Sequence, residues 1–166
     1  YIRSPSKWSV CEKNFRKLAK KGGNNVGLGI SPVVQIYNIL QLEKVLMFAE
    51  EIMETFNRKV SVDFLFCFSP TFLDVIYLPD RIKELAMERL ANYKDKSKAI
   101  KNPYLDDGFM KNSVDSLLNR LQNSMGQENS EKINDFFDYT RTLDKKRGQN
   151  FSDACPEPSS ELQNAG

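Results

Sequence analysis

The chain has 166 residues, 40% of them apolar and 11% aromatic, enough for one domain that buries most of the surface its unfolded form exposes. Its 24 Lys and Arg balance 22 Asp and Glu to a net charge of +2. The charges are scattered rather than striped, so nucleic acid is not an expected partner. The absence of histidine excludes Ser–His and Cys–His nucleophilic sites and His-ligated metals within this stretch. Cys11, Cys67 and Cys155 are spaced too widely for a disulfide framework or a metal motif, and read as thiols of a reducing compartment. With no signal-type start and no run near the ~20 apolar residues that span a bilayer, a cytoplasmic chain without membrane contact is expected.

In chain order, residues 6–20 carry Trp8, Cys11, Phe15, Leu18 and Ala19 at helical spacing, with Ser6 or Ser9 as the cap. Lys20 and Lys21 followed by glycines and asparagines stop that helix. A strand follows through Val26, Leu28, Ile30, Val33 and Val34, made irregular by Gly27, Gly29 and Pro32. Asn38 is placed to cap a second helix, in which Leu42, Val45, Leu46, Ala49, Ile52, Met53 and Phe56 keep the 3.6-residue period. "VSVDFLFCF" then reads as a parallel strand buried on both faces, so strand, helix and strand form a right-handed crossover.

"SPTFLDVIYLPD" is expected to run extended into a helix that begins near Pro79 and buries Ile82, Leu85, Ala86, Leu90 and Tyr93. Residues 94–108, charged and carrying Pro103 and Asp-Asp-Gly, read as a loop. Two helices follow, one lined by Val114, Leu117, Leu118, Leu121 and Met125, the other by Ile133, Phe136, Phe137, Thr140 and Leu143, with "GQENSE" between them. Residues 152–166, with Pro156 and Pro158, are expected to lie extended. Two or three parallel strands make a narrow sheet for this many amphipathic helices, which favours a piece of a larger α/β architecture.

The wording of several segments carries a resemblance. "YIRSPSKWSVCEKNFRKL" resembles the segment after the fourth barrel strand of radical S-adenosylmethionine (SAM) enzymes that carry SPASM or twitch auxiliary-cluster domains, with Tyr1, Arg3 and Trp8 on the recurring pattern and Asn14 and Leu18 in its helix. "VVQIYNILQLEKV" and "FSPTFLDVIYLPDRIKELAMERL" look like the fifth and sixth strands and helices of a twitch-domain subgroup met in phage and marine bacterial sequences. "YTRTLDKKRGQNFSDACPEP" is similar to its C-terminal signature, although Cys155 stands where that subgroup has an aromatic or aliphatic residue.

The resemblance implies the C-terminal part of a partial (β/α)6 TIM-like barrel, with strands five and six in residues 1–100 and a helical extension and tail in 101–166. It implies reductive cleavage of S-adenosylmethionine at a [4Fe–4S] cluster to a 5′-deoxyadenosyl radical that modifies a peptide or small molecule, with an electron-donor protein as partner. The cluster-binding C-x3-C-x2-C motif and the auxiliary-cluster cysteines do not occur in these residues, so no metal ligand is expected here. The first four strands and both cluster sites are expected upstream of Tyr1, and these residues alone are expected to be inactive. Cofactor contacts implied by the resemblance are Arg3 with the carboxylate of S-adenosylmethionine, and Ser31, Val33 and Gln35, which alternate on one side of the fifth strand, with its adenosyl part. Arg147, Gly148 and Gln149 either close over the barrel mouth or fix the terminal helix. Cys67 reads as core. The "GLG" of residues 27–29 lacks the third glycine and the helix start of a dinucleotide loop. Two other readings stand beside this one: a non-enzymatic α/β binding or scaffold module, and a non-radical enzyme using carboxylates such as Asp63 and Asp74.

Overall fold

A computed structural model describes residues 6–23, 25–98 and 109–164. Helix α1 (Trp8–Lys21) is followed by strands β1 (Leu28–Ile30) and β2 (Val33–Val34), helix α2 (Leu42–Phe56), strands β3 (Val60–Val62) and β4 (Leu65–Phe66), and helices α3 (Asp80–Lys98), α4 (Phe109–Asn123), α5 (Ser130–Arg147), α6 (Phe151–Ala154) and α7 (Pro156–Asn164). The expected α/β class is observed, dominated by helix. Strand β1 pairs in parallel with β3, and β2 with β4, at one constant offset. The amides of Asp63, Leu65 and Cys67 donate to the carbonyls of Ile30, Pro32 and Val34 at 3.0, 3.1 and 3.2 Å, so the four short strands are one interrupted two-stranded ladder. Pro32 has no amide to give, which accounts for the break. Among the described residues the ladder is open, with no closed sheet.

The periodicity of α2 does what it predicts: Leu42, Leu46, Ala49, Ile52 and Met53 are all sealed from solvent against the ladder and neighbouring helices. The buried apolar residues form one cluster from Ala19 to Leu162, with α4 contributing Val114, Leu117 and Leu121. Polar pins fix the periphery. The Arg58 guanidinium donates to the carbonyls of Ala19, Gly22 and Val26, closing the end of α1 onto the start of β3. Lys83, fully buried, donates to the Ser124 carbonyl (2.6 Å) and to Asp80 (3.1 Å), while Asp80 also accepts the Gly126 amide. These bonds hold the α4–α5 turn on the first turns of α3. No described helix is long and apolar enough to cross a membrane.

Five local expectations are corrected. Neither Ser6 nor Ser9 caps α1, whose N-cap is Lys7 without a side-chain bond. Asn38 does not cap α2, which begins after Gln41; its amide instead donates to the Val33 carbonyl and accepts from the Gln35 amide, both at 2.9 Å. Residues 71–77 are two 3-10 turns, Thr71–Leu73 and Val75–Tyr77, because the Asp74 carboxylate accepts the Ile76 amide and starts the second. Helix α3 continues to Lys98, with Lys94 paired to Asp115 of α4; the rest of the expected loop lies outside the described residues. The tail is helical rather than extended: Pro156 occupies the first position of α7, where a missing amide costs nothing, and Phe151, Pro158, Ser159 and Leu162 are buried.

Candidate functional site

Alternation along the ladder separates two faces. Leu28, Val34, Val60, Val62 and Phe64 are buried on one, whereas Gly29, Ser31, Asp63 and Leu65 are exposed on the other, with Val33 and Ser61 half-buried beside them. The expectation of burial on both faces is therefore corrected: the apolar residues of 60–68 mask the polar alternation of Ser61 and Asp63, and that alternation is the signal for a one-sided strand. Of the expected cofactor residues, Ser31 and Val33 lie on the open face. Gln35 is buried just beyond β2, where its amide is held by Asn38. Arg3 lies outside the described residues.

The open face has a defined floor. Gly29 stands opposite Ser61, and a Cβ at residue 29 would come 2.9 Å from the Ser61 Oγ, so a side chain there would displace the serine hydroxyl. Ser61 is anchored by donating to the Leu28 carbonyl at 3.3 Å. Asp63 accepts a 3.3 Å bond from the hydroxyl of Ser113, a buried residue of α4.

At the C-terminal end of β4, the end at which open α/β sheets place ligands, a second constellation escaped sequence reasoning. Asp74, buried, accepts from the Arg120 guanidinium at 2.6 Å and from the Ile76 amide at 3.2 Å. The same guanidinium lies 4.9 Å from the ring centroids of both Phe66 and Phe68. Its Nε is buried without a hydrogen-bond partner. Arg120 is 46 residues from Asp74, and nothing in the local sequence marks the pairing. No hydrogen bond joins Asp74 to Asp63, and the commitment of Asp74 to Arg120 leaves it ill suited to act with Asp63 as an acid–base pair.

The thiols do not converge. Cys11 is exposed on α1, Cys67 is half-buried after β4, and Cys155 is buried between α6 and α7. Burial pushes the Cys67 thiol up, reinforced by the charge of Asp74, so it is protonated at neutral pH and a weak nucleophile. No group of three or more His, Cys, Asp or Glu side chains that could hold a metal is found among the described residues. Gly148 of the Arg147-Gly148-Gln149 motif adopts the left-handed conformation (φ 60°) that ends α5, and Asp144 then accepts the Gln149 amide on its carbonyl and the Phe151 amide on its carboxylate. A hollow of about 480 Å³ opens there, lined by Gly148, Gln149, Asn150, Asp153 and Ala154. No family model matches the sequence, and neither the curated proteins nor the solved structures give a match.

Proposed function

We propose that these residues form the C-terminal part of a radical S-adenosylmethionine barrel, the ladder supplying strands five and six and its open face turned to the interior. The observation that supports this reading is the one-sidedness of the ladder: helices cover its apolar face, and Gly29, Ser31, Ser61 and Asp63, with Val33 and Leu65 among them, occupy the other. In a barrel the first face meets the surrounding helices and the second faces the interior, with bound molecules at the C-terminal ends of the strands. Ser31 and Val33 would border the adenosyl group, and Arg3 would take the carboxylate.

The iron–sulfur cluster has no ligand set here, because the three cysteines sit on separate elements with unlike exposure. No step is derived through it. What these residues supply on this reading is a walled surface that positions the cofactor and keeps water from a reactive intermediate. The substrate class expected is a peptide or small molecule.

The genomic reading frame before Tyr1 is the direct test. A C-x3-C-x2-C motif is expected there, and the anaerobically reconstituted longer product should show a broad thiolate–iron absorption near about 400 nm. A start codon adjoining Tyr1, or a longer product without that band, removes the radical reading. The alternative, a self-contained α/β binding module, is favoured by the packing: a single apolar cluster links the ladder to the C-terminal helices, and Arg89 of α3 donates both to the Leu40 carbonyl and to Glu157 of α7. Cooperative unfolding of a monomer, together with an absent upstream motif, would select it.

A further inference from the structure

We infer that helix α1 lies on an anionic lipid surface, with its outward lysines among the headgroups and Val10 and Leu18 against the acyl boundary. The inward side of α1 is fixed by its contacts. Trp8 and Phe15 pack on the Phe48 ring of α2, with centroids 5.4 and 5.8 Å apart, and Ala19 is buried. On the opposite side Val10, Asn14, Lys17 and Lys21 recur at intervals of four and three, so they share one stripe, with Leu18 beside them, and all five are exposed. Val10 keeps 53% and Leu18 45% of its surface in water. Val26, also exposed, flanks Leu18: a Cβ on Gly22 would lie 3.5 Å from both side chains.

The charge of this side is uncompensated. Lys7, Lys13, Lys17, Lys20 and Lys21 are exposed, and none pairs with an acid among the described residues. Glu12, the one acid of α1, and Glu51 of α2 are both taken by the Arg16 guanidinium, at 2.9 and 2.8 Å. The order of residues conceals the resulting positive field, because Glu12 is spaced among the lysines and only its pairing with Arg16 cancels it.

The pattern selects the partner. Lysines lie between the apolar side chains rather than around them, so a packed protein interface would strip water from charges it must then pair. At a bilayer surface the lysine stems follow the apolar boundary while the ammonium groups stay among the headgroups. A cluster of this size on an amphipathic helix attracts anionic leaflets, each lysine adding about fivefold to the binding. Single-stranded nucleic acid fits less well, since the outward stripe carries no aromatic ring on which a base would stack. Such a helix lies flat on the surface, against the expected absence of membrane contact, and does so with or without radical chemistry.

Flotation of the full chain with vesicles tests this, using an equimolar mixture of phosphatidylserine and phosphatidylcholine beside pure phosphatidylcholine. The chain should rise with the mixed vesicles, stay behind with the pure ones, and be released by added salt. Lys17→Gln combined with Lys21→Gln should weaken binding by about 25-fold, the effect of two lysines. Circular dichroism should not change, because neither side chain has a described partner. Leu18→Ser should weaken binding as well, by a smaller factor. No flotation with the mixed vesicles, equal flotation with pure phosphatidylcholine, or binding that survives either substitution would each overturn the assignment. So would a uridine homopolymer held as tightly as the mixed vesicles, which would mark a surface for any polyanion.

Discussion

The two faces of the ladder share one backbone and one register, yet they are put to opposite uses. Leu28, Val34, Val60, Val62 and Phe64 give their side chains to the core, where close packing makes every methylene count. Gly29, Ser31, Ser61 and Asp63 contribute little to that core and present hydroxyls, a carboxylate and a bare backbone to the outside. The difference teaches that stability and recognition are separated here by side-chain parity alone, so changes on the core side should move one and changes on the open side the other.

The sharpest way to probe the closed side is Phe136→Ala. Phe136 is fully buried among Tyr37, Phe137 and Phe151, and its truncation should cost about 3–5 kcal/mol in urea unfolding. Lys83→Ala should cost about 3 kcal/mol by the same measurement, since it leaves the Ser124 carbonyl and Asp80 without their cation. A loss near zero would show that packing and the Asp80–Gly126 bond hold the α4–α5 turn without the lysine.

Acid gives a smaller and directional effect. The Arg89 guanidinium holds the Glu157 carboxyl below the usual carboxylate range, so the stability it contributes is present above that range and is lost as pH falls through the depressed value. Glu50 has the opposite sign: burial raises it, so its cost is incurred as pH rises through the carboxylate range and is relieved in acid. Thermal unfolding across that range should therefore be less acid-sensitive in Glu157→Gln and more acid-sensitive in Glu50→Gln than in the parent chain. The Glu157 contribution is below about 1 kcal/mol, as for other part-exposed pairs. Smallest of all, Asp63→Asn, at an exposed side chain, should change stability by no more than about 0.5 kcal/mol. A destabilisation comparable to that of Phe136→Ala would abolish the distinction between the faces.

Much of this architecture was legible in the order of residues. The 3.6-residue period located α2, α4 and α5, because each buries one continuous stripe, and the apolar strand residues located the parallel pair. What escaped depended on choices that local sequence leaves open. Asn38 serves a cap and a strand turn equally well, and the structure uses it for the turn. Pro156 and Pro158 argue against helix except in its first turn, which is where they fall. On the ladder, alternation put Ser31 and Val33 on one face but also Gln35, which is buried, and Asp63 stood out only as a carboxylate because the apolar run around it concealed the face it lies on. Its partner Ser113 comes from a helix 50 residues away, a contact that only packing creates.

The turn made by Asn38 also bears on how this chain behaves among others. Its side-chain amide occupies the Val33 carbonyl and Gln35 amide, which point away from β4 and are the groups a third strand would seek. Bare sheet edges recruit neighbouring chains into unplanned ribbons. Here a single amide acts as a stopper, so pairing by a further strand on that side is confined to residues 29–31.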